Sequence, residues 1–167
     1  MATFTRLVEF LVDLEGCILK VYQDVAGFPT VGIGHWISPE DIKLGSIKGE
    51  DKQGVYTLDL KNVKKTGVTK KEAYEILDYD MNEYEEKIPK IVKVPLKECQ
   101  LISLISFSFN VGIGGFKRST LLRKLNEGDY NAPIIELPKW RKAGGKVIQG
   151  LVNRRAKEIS MWKGEYV

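Results

Sequence analysis

Apolar positions at the start of the chain recur by threes and fours. Phe4, Leu7, Val8, Leu11, Leu14 and Ile18 share one face at helical spacing, which predicts an amphipathic helix. Thr3 or Thr5 is placed to cap it and Gly16 to end it. The pattern then changes. Residues 18–22 have strand character, 24–29 supply turn residues, and 30–37 predict a second strand. Residues 38–67 are rich in Lys and Gly and read as surface loops and short strands, one of them at 55–58.

The second half reads as helical. Thr69-Lys70-Lys71-Glu72 matches a capping box. Ala73, Ile76, Leu77, Met81, Tyr84 and Ile88 follow at helical spacing, with Pro89 as the predicted stop. A helix of that length measures about 30 Å and can join two lobes. The run CQLISLISFSFN between Lys97 and Asn110 is almost wholly apolar or Ser and predicts a buried core helix, broken by Gly112, Gly114 and Gly115. Ser119 or Thr120 caps a short helix through Leu125. Residues 130–142 are expected to be helical despite Pro133 and Pro138, and 151–163 form the last helix.

The chain has 167 residues, which makes one domain or one domain built as two lobes. At 43% hydrophobic and 29% charged it is globular rather than disordered. A net charge of +4 is too mild to argue for nucleic acid. Residues 139–167 hold eight Lys/Arg and two Glu, a basic face that suits either an anionic polymer or plain solvation. A single His excludes a His-rich metal site. The two cysteines, Cys17 and Cys99, exclude a disulfide scaffold or a four-cysteine zinc site and read as reduced. No metal and no cofactor is expected. No apolar run reaches the roughly 18 residues of a membrane span. Arg6, Glu9, Asp13 and Glu15 interrupt what would be the core of a signal peptide, so no export address and no membrane anchor is expected.

Candidate chemistry gathers in one window. At about 100° per residue, Glu15 lies roughly 40° from Leu11 and 20° from Val8 and Phe4, on the apolar face. Burial there raises a carboxyl pKa, which is how a general acid is made; a helix-end Glu that reaches water or pairs with an Arg is the other reading. Asp24 opens a polar turn, as suits an ionised partner, and Thr30 on the next strand can hold a water. Two such carboxylates are the usual equipment for glycoside cleavage. Strand alternation puts Thr30, Gly32 and Gly34 on one bare face, open either to a sugar ring or to a packing helix. Neither GIGH nor GIGGF completes a nucleotide loop.

These residues carry a resemblance. Glu15-Gly16, Tyr22-x-Asp24, Gly27 and Thr30-x-Gly32-x-Gly34-His35 resemble the active-site signature of the phage-type lysozymes (endolysins, glycoside hydrolase family 24). Ser106 to Gly112 with Gly115-Phe116 and Ser119 to Leu122 is a second match; Trp140, Ala143-Gly144-Gly145, Gly150-Leu151 and Arg154-Arg155 form a third. The resemblance implies an α+β lysozyme-like fold: a small lobe with a short antiparallel sheet over about 16–68, a connecting helix over about 69–88, and a helical lobe from 1–15 and 90–167. It implies hydrolysis of the β-1,4 bond between N-acetylmuramic acid and N-acetylglucosamine in peptidoglycan, with inversion. Glu15 is then the proton donor, Asp24 the carboxylate that activates or positions water, and Thr30 its helper. His35 would pair with Asp80, with Asp78 as the fallback, and Arg155 with Glu15. Trp36, Phe109, Asn110 and Ser119 are candidates for the saccharide groove, each also open to a structural role.

The implied partners are a peptidoglycan glycan strand and a separate holin, through whose membrane hole a monomeric protein leaves the host cytoplasm. A lytic transglycosylase and an inactive wall-binding module are the alternatives.

Overall fold

A computed structural model describes the backbone of residues 2–167 and the side chains from Thr5 onward. The expected Thr3 cap and the Phe4 position of the first helical face lie outside the described side chains. The chain divides into two compact units, residues 7–83 and residues 1–6 with 84–167. The divisions fall within helices α1 (Ala2–Glu15) and α4 (Lys70–Ile91).

In the 7–83 unit, α1 buries Leu7, Phe10 and Leu11. Gly16 ends it in a left-handed conformation (φ 68°), with its N–H on the Val12 carbonyl at 2.9 Å. The expected helical stripe therefore stops before Ile18, which lies in the next strand and is exposed, and Phe10 joins the buried face instead.

Strands β1 (Ile18–Gln23), β2 (Pro29–Gly32) and β3 (His35–Trp36) form an antiparallel sheet in that order. The single strand expected over 30–37 is thus a hairpin, turned at Ile33–Gly34. Over 38–67 the expected short strands form, 55–58 among them, but two helices take the place of expected loops. That segment folds as α2 (Pro39–Leu44), a second hairpin of β4 (Ser46–Asp51) and β5 (Gly54–Asp59), and α3 (Leu60–Thr66). Both helices are too short for periodicity to reveal, but each has a side-chain cap: Ser38 on α2 and Asp59 on α3.

The Thr69–Glu72 capping box opens α4: Thr69 Oγ1 accepts from the Glu72 N–H at 3.1 Å, and the Glu72 carboxylate accepts from the Thr69 N–H at 2.9 Å. The helix passes Pro89 and runs to Ile91. A proline removes one intrahelical bond, and so close to the end the helix has few others to lose. The Val92 N–H closes the last turn on the Ile88 carbonyl at 3.0 Å. Val31, Ile33, Ile37, Ile47, Val63, Ile76 and Met81 fill the core of this unit.

The other unit is mainly helical. Helix α5 (Glu98–Val111) buries Ile102, Leu104, Ile105 and Phe107 and packs along α9 (Gln149–Lys163). Between them run α6 (Ile113–Lys117), α7 (Thr120–Asn126) and α8 (Ala132–Glu136). The helix expected over 130–142 breaks after α8. A 3-10 turn at Leu137–Lys139 follows, where Pro138 has no N–H to give, and Trp140 leaves helical geometry at ψ 61°. Ala143-Gly144-Gly145 then turns a small hairpin of β6 (Lys142–Ala143) and β7 (Lys146–Val147). No helix among the described residues is long and apolar enough to cross a membrane.

Candidate active site

Glu15 occupies the last position of α1 and is partly buried. Its carboxyl lies against Gly34: a Cβ built there would sit 2.7 Å from Glu15 Cδ and 2.9 Å from Oε2. Gly34 has φ 68°, so both its backbone conformation and the space beside it exclude a side chain. At Gly32 the neighbour is Ala73 of α4, 3.3 Å from where a Cβ would be. The bare face of the hairpin is therefore taken by protein, by a packing helix at Gly32 and by Glu15 at Gly34, and not by a sugar ring at those positions.

Asp24 builds the loop that leaves β1. Its Oδ1 accepts the N–H groups of Ala26 and Phe28, each at 2.9 Å. Its backbone N–H donates to the Phe28 carbonyl at 2.9 Å. Neither side-chain bond falls on Oδ2. Thr30 on β2 is buried, and its hydroxyl donates to the same Phe28 carbonyl at 3.0 Å. Its Oγ1 lone pairs remain as acceptors.

Thr30 pairs across the sheet with Tyr22 of β1 on one side and Trp36 of β3 on the other. Directly paired residues project from the same face, so the three form one row. Burial pushes the Tyr22 phenol above its usual range, and the carboxylates of Glu15 and then Asp24 push it further. Trp36 is 49% exposed and meets the exposed Phe28 ring edge-on at 5.9 Å.

His35, buried on β3, lies between two carboxylates. Its Nδ1 is 2.7 Å from Asp80 Oδ2 on α4, and its Nε2 is 3.3 Å from Asp41 Oδ2 on α2. Burial works to lower its pKa, but Asp80 and then Asp41 outweigh it and raise the imidazole to about 10. It is therefore an imidazolium at neutral pH. Burial pushes the Asp80 carboxyl up and the cation at His35 opposes that. For Asp41 burial also acts upward, but His35 and the Ser38 bonds prevail and lower it. Asp41 does two jobs, since the same oxygen accepts from the Ser38 N–H and hydroxyl, both at 2.9 Å, at the start of α2. Sequence reasoning missed Asp41; the Ser38-x-x-Asp41 spacing is a capping-box signal that could have found it. Asp78, the fallback partner, is not among these contacts.

The remaining candidates belong to the helical unit. Arg155 is almost fully buried. Its Nε lies 3.2 Å from Glu158 Oε2, its guanidinium covers the Phe107 ring at 5.1 Å, and Nη2 donates to Asn110 Oδ1. Glu158, wholly buried, also holds Arg154 Nε at 3.0 Å and accepts the Ser106 hydroxyl at 2.8 Å. Sequence reasoning passed over Glu158, although its spacing from Arg154 and the serines of α5 signalled it. Because both arginines are internal, the basic face expected over 139–167 is smaller than its composition suggests.

Asn110 is exposed, and Phe109 is half-buried with an edge contact to Tyr84 at 5.6 Å. Ser119 is buried; its hydroxyl donates to the Phe116 carbonyl at 2.6 Å and accepts the Leu122 N–H at 3.1 Å. Ser119 thus caps α7. Cys17 and Cys99 are both free thiols.

A family model described as "Phage lysozyme" matches residues 12–158. The chain is 33% identical over 160 residues to an endolysin of Bacillus phage PZA, covering 93% of this chain and 52% of that protein. It is 36% identical over 151 residues to a SAR-endolysin of Enterobacteria phage PA-2, covering 89% and 78%. It spans about half the length of the Bacillus phage relatives it matches. Among solved structures, the muramidase domain of SpmX from Asticaccaulis excentricus superposes with a TM-score of 0.69 at 28% identity, over 94% of each chain.

Proposed function

The chain belongs to the phage lysozyme family, and from that premise we propose that it is an endolysin, hydrolysing the β-1,4 bond from N-acetylmuramic acid to N-acetylglucosamine in peptidoglycan with inversion. The observation that carries the reading is the grouping in one compact unit of Glu15 packed on Gly34, Asp24 fixed through one oxygen only, and Thr30 with its proton already committed.

In the proposed reaction Glu15 gives its proton to the leaving glycosidic oxygen as the bond to the anomeric carbon breaks. Water attacks the opposite face of the sugar. Asp24 takes a proton from that water, and Thr30 accepts its other hydrogen. One new C–O bond replaces the old one, and proton exchange with solvent resets the two carboxyl groups. In the 7–83 unit the exposed Trp36 beside Phe28 offers a surface for saccharide; in the helical unit Phe109 and Asn110 are the candidates. As part of the same proposal, a monomer accumulates in the host cytoplasm and reaches the wall after a separate holin opens the membrane.

The test is release of reducing ends from purified peptidoglycan by wild type and Glu15→Gln. General acid catalysis is typically worth 10²–10⁴-fold, so Glu15→Gln should lose at least about 10²-fold with its fold intact. A variant close to wild type would overturn the assignment. Products lighter by one water would mark a lytic transglycosylase instead.

A further inference from the structure

A water poised to attack has four tetrahedral positions to satisfy. One lone pair faces the anomeric carbon. Its two hydrogens need acceptors, and its second lone pair needs a donor. Asp24, once ionised, can only accept, and the two backbone N–H groups on Oδ1 fix that carboxylate in place. Thr30 has one proton, which it gives to the Phe28 carbonyl, so toward a water it too is an acceptor. These two residues therefore take both hydrogens, and neither supplies a donor. Glu15 cannot fill the gap, because its proton is needed by the leaving oxygen.

We propose that Tyr22 supplies the missing donor, its phenol O–H holding the second lone pair of the attacking water. The inference rests on the hydrolytic reading above. Tyr22 is the direct cross-strand partner of Thr30, so the two side chains leave the same face of the sheet. Asp24 is the first residue beyond β1, and its N–H donates to the same Phe28 carbonyl that accepts the Thr30 hydroxyl. Tyr22 is half-buried. Burial first, then the charges of Glu15 and Asp24, push the phenol up; with Glu15 in its acid form, burial and Asp24 still keep the phenol protonated. A hydroxyl that keeps its proton beside two carboxylates is suited to donate and not to serve as a base. The family-type motif Tyr22-x-Asp24 thereby gains a chemical reason for its aromatic residue.

Tyr22→Phe keeps the ring and removes only the hydroxyl. Expected are a 10- to 100-fold fall in kcat, the range of a misplaced reactant, and an unchanged KM and Tm. Adding Thr30→Val should cost less than the product of the two single losses, because both act on one water. In a second variant, 3-fluorotyrosine at position 22 keeps the shape but makes the phenol more acidic. It still carries the O–H donor, so its kcat should stay within a few-fold of wild type while Tyr22→Phe falls, a split that a purely structural ring would not produce. An unaltered kcat in Tyr22→Phe, a loss confined to KM, multiplying losses, or a 3-fluorotyrosine variant as slow as Tyr22→Phe would each overturn the proposal. If wild type itself releases no reducing ends, the hydrolytic reading fails first, and that result is distinct from an active wild type matched by Tyr22→Phe.

Discussion

Replacing His35 by Asn removes a buried cation from between two carboxylates. The native imidazole is held at about 10, whereas an unfolded His titrates near about 6.5. At about 1.4 kcal/mol per pH unit, that rise bounds the proton-linked stabilisation at ~5 kcal/mol. Breaking a buried pair by removing one partner costs about 3–5 kcal/mol, which is the same range. The sign follows from the raised pKa: the contribution is complete below the unfolded value and is lost as pH rises through the folded one.

Wild type should therefore lose most of this stabilisation between about pH 6 and about pH 9.5, with ~1 kcal/mol remaining at the upper end. Asn has no such proton. His35→Asn alone leaves Asp80, whose carboxyl burial pushes up, so the cleaner baseline is His35→Asn with Asp80→Asn. That double variant should be nearly flat over the window. Urea denaturation at the two pH values reads the gap directly, and wall lysis should persist in both variants. A wild-type advantage of equal size at both ends would refute a protonated His35.

Two further predictions follow from contacts at single residues. Gly34→Ala puts a methyl group into the Glu15 carboxyl at a left-handed position; it should cost about 1–3 kcal/mol of stability and at least about 10-fold in kcat, and unchanged reducing-end kinetics would contradict the packing of Glu15 on Gly34. Glu158→Gln removes the buried carboxylate that both arginines contact and should cost about 3–5 kcal/mol in a denaturant titration, whereas a loss below about 1 kcal/mol would mean that the cluster is solvated.

Long elements were legible in the sequence because periodicity accumulates over many residues. The capping box at Thr69 and the apolar run behind Lys97 located α4 and α5 to within a few positions. The short helices α2 and α3 escaped because a helix of six or seven residues leaves almost no periodic trace. Only their caps mark them. Pro89 misled because the cost of proline depends on how much helix lies beyond it, which local sequence does not state.

In the site, the spacing Glu15, Asp24, Thr30 stood out as chemistry. The occupants of the bare faces did not, since what fills the space above Gly32 comes from α4, some forty residues on. Asp41 and Glu158 were missed for a related reason. Each has a local spacing signal, from Ser38 and from Arg154, but the partner that folds against it, His35 or the serines of α5, lies on a different element.

The loop held by Asp24 has a kinetic consequence. The bonds that close residues 24–28 end on the carboxylate assigned to the water, so forming the loop and aiming the acceptor are one event. No reorientation is then left for the moment of reaction. The amide protons of Ala26 and Phe28 thereby become reporters of competence: the fraction of time they are open to exchange with deuterium is the fraction in which the carboxylate is unaimed. Warming should release these two amides before the core strands let go, and turnover would decline along with their protection while the rest of the chain is still folded.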